Sequence, residues 1–175
     1  VPVMVAIGVA VGIPVVVSIN HFNGDRRAEL KAIQEHCAEQ GVACAVSKVF
    51  SEGGKGGDQV AEHVLEALET KPPKAQFTYQ SNDSIETKIE KIVRSIYGGE
   101  TVILAQKARN QLKLIDRLGL SKLPVCMAKT QYSVSDDPKA VGAPSGFEVT
   151  VSELRIAAGA GFIVAVTGAM MTMPG

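Results

Sequence analysis

The sequence predicts an α/β fold, a mostly parallel sheet with flanking helices, on three observations. Residues 14–19 are a nearly unbroken Val/Ile run, the pattern of a strand covered on both faces. Segments of that kind then alternate with stretches whose apolar residues recur at three and four spacing. One such stretch, with Ile85, Ile89, Ile92, Val93 and Ile96 on one face and Gly98 and Gly99 after it, is the clearest helix in the chain.

The elements follow in order. Residues 1–19 are almost continuously apolar and long enough to raise a membrane span. Pro2 and Pro14 interrupt the run, no Lys or Arg precedes it and no small-residue cleavage site follows, so neither a span nor a signal peptide is expected. Asp25 is expected to cap a helix that buries Leu30, Ile33 and Cys37 and stops at Gly41. Residues 42–49 read as a second strand and residues 51–57 as a glycine-rich loop. Asp58 then caps a helix whose buried stripe is Val60, Val64, Leu65 and Leu68. Paired prolines within residues 71–74 mark a break, which divides the chain into a βαβα unit, 1–71, and a second α/β subdomain, 72–175.

Past the break, Asp83 or Ser84 starts the isoleucine helix. Residues 101–104 are a short strand, and Ala108, Leu112, Ile115 and Leu118 line a helix ending at Gly119. Residues 124–128 form another strand, 131–147 a polar irregular segment and 162–166 the last strand.

Composition limits the function classes. Eighteen Lys and Arg balance eighteen Asp and Glu, so there is no electrostatic footprint for nucleic acid. Three cysteines without a CxxC pair indicate neither a disulfide framework nor a zinc site, and a reducing cytoplasm is the expected compartment. The three histidines make no catalytic case: His36 and His63 fall within helices, and His21, near a strand end, has no nucleophile spaced to it.

Four segments can carry chemistry. SINHFNGD, residues 18–25, leaves the first strand at its carboxyl end, where open α/β sheets bind ligands, so Asn20, His21 and Phe22 point toward a crevice. The plain alternative is a polar turn with Phe22 folded into the core. FSEGGKGG, residues 50–57, carries Gly53, Gly54, Lys55, Gly56 and Gly57 ahead of a helix whose free N–H groups favour an anion. It matches neither GxxxxGK[ST], because Gly56 follows Lys55, nor GxGxxG, and a flexible connector is its alternative. Phe22 and Phe50 open loops at neighbouring strand ends and are placed to hold a flat heteroaromatic ring, each stack contributing about 0.5–1.5 kcal/mol beyond burial. CMAKTQYSVSDD, residues 126–137, offers Lys129 to a carboxylate or phosphate and Ser133, Ser135 and Asp137 to a ligand or to turn chemistry. AGAGFIVAVTGAMMTMPG, residues 158–175, ends in three methionines that read as core filler.

Taken together, GIPVVVSINHF, FSEGGKGG, KIEKIVRSIYGG, LPVCMAKTQYSVSDDP, AGAGFIVAVTG and MTMPG resemble the formate-tetrahydrofolate ligases, also called formyltetrahydrofolate synthetases. The pieces stand in family order and cover residues 12–175. The resemblance implies ATP-dependent joining of formate to tetrahydrofolate through formyl phosphate, giving 10-formyltetrahydrofolate, ADP and phosphate. It implies ATP with Mg2+ and tetrahydrofolate as substrates, a monovalent cation, a homotetramer and a cytoplasmic location, with no membrane and no nucleic acid as partner. Phe22 matches an aromatic that stacks on the pterin, and Phe50 a position usually held by Trp. Asn20 and the glycine loop with Lys55 would lie beside folate and nucleotide, and the resemblance extends to Lys129, Gln131 and Ser133. Ala169 stands where an Asp is common.

In the family a phosphate-binding P-loop and the basic residues that handle formyl phosphate lie well upstream. The chain is therefore expected to be the carboxyl-side portion of a larger P-loop-type ligase fold, supplying the folate side and inactive alone. Residues 1–11 do not match the helical segment that normally precedes GIPVVV. A non-catalytic folate-binding or structural remnant is the alternative, and an unrelated α/β binding module a third.

Overall fold

The computed structural model describes residues 11–70, 74–129 and 133–168. It divides into two compact units, Val1–Gln76 and Phe77–Gly175.

In the first unit β1 (Val16–Asn20) pairs in parallel with β2 (Ala43–Ser47), Val16 opposite Ala43 and Asn20 opposite Ser47. Parallel neighbours require a crossover, here α1 (Arg27–Glu39). Glu29 accepts from the Arg26 N–H at 3.4 Å near the start of α1. After its end Gly41 adopts φ 66°, and the Val42 N–H returns to the Cys37 carbonyl at 2.9 Å. After β2 come a short helix, α2 (Val49–Glu52), a 3-10 turn (Gly53–Gly57) and α3 (Asp58–Thr70).

The second unit opens with α4 (Ile85–Ile92), which Ser84 caps by accepting from the Thr87 N–H at 3.1 Å. Such a cap contributes about 1 kcal/mol. The helix continues as a π turn (Val93–Tyr97), and Gly98, at φ 75°, ends it in the left-handed conformation. Then follow β3 (Thr101–Leu104), α5 (Gln106–Arg117), β4 (Val125–Ala128), β5 (Glu148–Ala157) and β6 (Phe162–Thr167). The sheet order is β3-β5-β6-β4, with β3 parallel to β5, β4 parallel to β6 and β5 antiparallel to β6. Ile85, Ile89 and Val93 of the α4 segment, Ile115 of α5 and Val151, Leu154 and Ile163 of the sheet form the core. Lys88 is fully buried beside them, its Nζ donating to the Ser121 and Leu123 carbonyls at 2.9 and 3.0 Å. Desolvation lowers its pKa.

The α/β class holds, with corrections. The second sheet is mixed, because β5 runs back beside β6 through the Ala158–Gly161 turn. β5 itself went unread: its alternation of buried Val149 and Val151 shifts phase at a bulge between Val151 and Glu153. β1 is only partly buried, with Ser18 and Asn20 exposed, so it is not covered on both faces. β2 stops at Ser47 rather than 49, since Val49 begins a helical turn. Arg26, not Asp25, is the N-cap of α1. The expected stripe on α3 is not the packed one: Val64, Leu65 and Leu68 are exposed, because the helix turns Val60, His63 and Ala67 toward the sheet instead. Leu118 is also exposed, lying just past the end of α5.

No helix among the described residues is long and apolar enough to cross a membrane. The proline pair at 72–73, Gln131, Ala169 and the three terminal methionines lie outside the described residues, as does most of the segment 1–11.

Candidate functional site

The parallel register sets both strand ends of the first unit side by side. Asn20 and Ser47 are partners, and the ladder runs one bond further, from the His21 N–H to the Ser47 carbonyl at 2.9 Å. Each chain then turns away through a closed local structure. After β1 the Phe22 N–H donates to the Asp25 carboxylate at 2.8 Å, while the Asp25 N–H donates to the Phe22 carbonyl at 3.1 Å. That reciprocal pair holds the Phe22 backbone in the turn, and the ring is 63% exposed, so it is not folded into the core.

After β2 the Lys48 backbone organises the glycine segment. Its carbonyl accepts from the Ser51 and Glu52 N–H groups at 3.0 and 2.9 Å, and its own N–H donates to the Gly56 carbonyl at 2.9 Å. The expected loop is therefore a helical turn followed by a 3-10 turn rather than a flexible connector. Phe50 sits on that first turn with its ring 94% exposed. The glycines serve different ends. Gly53 takes φ 62°, and a Cβ on Gly56 would lie 2.5 Å from the Lys48 carbonyl carbon and oxygen, so the fold itself demands both. Gly54 has neither a positive φ nor any atom within 4 Å of a built Cβ, and its bare backbone faces open space.

Between the strand ends and the first turns of α1 and α3 lies an open cleft of ≈ 540 Å³. His21, Arg27, Lys48, Glu52, Lys55 and Gln59 contribute its polar lining, with Gly56 at its wall and Leu30 and Val46 at its apolar side. Three permanent cations face one carboxylate there, and that carboxylate, Glu52, is held by Lys48 at 3.5 Å. The cleft is thus cationic and suited to an anion. Of the residues singled out in the sequence, Lys55, Gly56 and His21 line it; Asn20 lies at its strand end, and Phe22 and Phe50 stand exposed on the two segments that leave those ends. Arg27, Lys48 and Gln59 were missed, since Arg27 and Gln59 read in the sequence as ordinary helix-start residues and Lys48 falls within the expected second strand.

Lys129 and Ser133 belong to the second unit. Lys129 Nζ donates to the Ser133 carbonyl and lies 5.4 Å from the centre of the Tyr97 ring, and its burial lowers its pKa. Ser133 Oγ donates to the Ala140 carbonyl and accepts from the Ser135 N–H at 3.1 Å. These bonds are turn chemistry that holds the irregular segment together. A larger hollow in the same unit, ≈ 640 Å³, is lined by Phe77, Tyr79, Gln80, Lys122 and Pro124 and was not foreseen. The Tyr79 hydroxyl there already accepts from the first amide of β4, Val125, at 3.0 Å, so the hollow borders the amino end of that strand rather than a carboxyl end. Among the described residues no three His, Cys, Asp or Glu gather as metal ligands.

Two parallel strand ends, a folded glycine segment and a cationic cleft stand together at the carboxyl end of the first unit's sheet, the place where open α/β sheets hold their ligands. The chain belongs to the formate–tetrahydrofolate ligase family, whose model matches residues 3–175. That places it among ligases of one-carbon metabolism whose substrates are formate, tetrahydrofolate and ATP.

Proposed function

We propose that this chain supplies the folate side of a formate–tetrahydrofolate ligase, with the pterin held between Phe22 and Phe50 and Asn20 offering its amide to the heterocycle edge. The observation that carries the reading is the register of β1 and β2, which brings NHF and FSEGGKGG, two of the segments that resemble the family, to adjacent strand ends. The exposure of both phenylalanine rings supports it, since neither is needed by the core. Gly53, Gly54, Lys55, Gly56 and Gly57 form the adjoining wall toward folate and nucleotide. Lys129, Gln131 and Ser133 remain part of the proposal on resemblance alone.

The chemistry proposed proceeds in two steps. Formate attacks the γ-phosphorus of ATP, which carries Mg2+ as its counter-ion, and releases ADP. The N10 amine of tetrahydrofolate then attacks the carbonyl carbon of formyl phosphate; the bond to the phosphate oxygen breaks and N10 loses its proton. Stacking fixes the pterin so that N10 approaches that carbonyl in one orientation, which converts an encounter into a positioned reaction. A homotetramer in the cytoplasm and a monovalent cation complete the proposal, resting on the same resemblance.

The test is product formation by the protein that carries this chain, with formate, Mg-ATP and tetrahydrofolate each omitted in turn. Product and ADP in equal amounts, only with all three present, is the expected result. Saturable folate binding without product under any condition would transfer the assignment to the non-catalytic remnant, and absence of both would overturn it.

A further inference from the structure

We infer that Arg27, Lys48 and Lys55 form an anion subsite, and that it takes the charged end of a substrate whose ring lies outside the cleft. The inference deepens the folate reading and rests on it for the substrate class. Its first support is the cleft itself, with three permanent cations around one carboxylate. Its second is the state of those cations. Lys48 is paired with Glu52 at 3.5 Å, but among the described residues neither Arg27 nor Lys55 has an ion pair or a side-chain hydrogen bond.

Their positions are also electrostatically unfavourable for the chain alone. Arg27 is the first residue of α1, and Lys55 lies three residues before Asp58 opens α3, so both stand near helix ends whose partial positive charge disfavours a cation. Glu29 and Asp58 stand in those first turns, but among the described residues neither pairs with Arg27 or Lys55, and a bound anion relieves the conflict that remains. Arg27 offers a planar fork that meets a carboxylate or phosphate with two bonds, and Lys55 a single mobile charge.

Two substrates of the family carry such an end: the glutamate carboxylates of tetrahydrofolate and the phosphates of the nucleotide. Both are oxygen anions, and the experiment separates them. Binding of tetrahydrofolate, of tetrahydropteroate (which lacks the glutamate) and of ADP is measured by equilibrium dialysis for the unaltered chain, R27Q, K55Q and K31Q. Lys31 serves as the control cation: it lies on α1, is 75% exposed and pairs with Glu35 at 3.3 Å.

Loss of a charged hydrogen-bond partner predicts about tenfold weaker binding in R27Q and in K55Q. If tetrahydrofolate weakens and tetrahydropteroate does not, the anion is the glutamate end; if ADP alone weakens, it is the phosphate. Either result supports the subsite. Unchanged affinities for tetrahydrofolate and ADP would overturn it while leaving the folate reading intact, provided tetrahydropteroate still binds. Equal weakening in K31Q would also overturn it, since diffuse surface charge would then suffice. If the unaltered chain binds none of the three, both readings fall.

Discussion

Replacing Phe22 and Phe50 together by Ala separates a functional role for these rings from a structural one. The rings are 63% and 94% exposed, so their removal uncovers little and opens no cavity. The effect on folding stability is expected within about 0.5 kcal/mol, the ordinary range for a surface change. Binding should respond differently. Two stacks at about 0.5–1.5 kcal/mol each amount to about 1–3 kcal/mol, or a Kd for tetrahydrofolate raised by about 5- to 150-fold. Each single variant should give about half of that free energy. Titration calorimetry reads the Kd, and urea unfolding monitored by circular dichroism reads the stability of the same preparations. Phe77→Ala is the matched control, because its ring is 90% exposed but belongs to the second unit. An unchanged Kd in a double variant that unfolds at the same urea concentration would refute the stacking argument. A large loss of stability would refute the premise that neither ring serves the fold.

Three further outcomes follow from the geometry. Gly56→Ala should destabilise by about 1–3 kcal/mol in urea unfolding, because the new methyl group would meet the Lys48 carbonyl at 2.5 Å, whereas Gly54→Ala should unfold at or above the original midpoint. Lys88→Met should lower stability by about 1–3 kcal/mol, the range for a buried acceptor left unpaired, with relief of the buried charge offsetting part of the loss of two carbonyl partners. Because the folded state lowers the Lys88 pKa from 10.5, it binds the proton less tightly than the unfolded chain, and this residue's contribution should rise with pH from the lowered pKa toward 10.5. Glu153 is held down at about 2, first by the hydrogen bond from Arg155 and then by that from Lys107, so its contribution is complete above pH 4.5 and lost as pH falls toward 2; Glu153→Gln should flatten the urea midpoint across that window.

Local chemistry carried much of the fold into the sequence. Ser84 and Gly98 bracket the α4 segment as capping rules require, and β3 falls on residues 101–104, where its apolar run stands. What escaped depends on distant partners. β5 is legible only once β3 and β6 flank it, since its bulge breaks the alternation that a single strand displays. The glycine segment reads as a loop because glycine has poor helix propensity, yet the bond from Lys48 N–H to the Gly56 carbonyl folds it. The α3 stripe was misjudged because amphipathic spacing reveals which face is apolar but not whether anything covers it.

The site divides in the same way. The placement of Asn20, Phe22 and Phe50 at or just beyond the strand ends, and of Lys55 in the glycine segment, was legible because the strands read as apolar runs and the turns as polar or glycine-rich ones. Arg27 and Lys48 were not, since their convergence depends on the crossover that sets α1 beside the end of β2. One signal was present in the sequence: Arg26 and Arg27 stand together where a helix begins, against the sign its dipole favours.

The central claim is that the strand ends of the first unit bind tetrahydrofolate, and hydrogen exchange of backbone amides with and without that ligand tests it most directly. Protection confined to residues 20–25 and 47–58 is the predicted result. Saturable binding that protects the hollow around residues 77–81 instead, and leaves both strand ends unchanged, would contradict it.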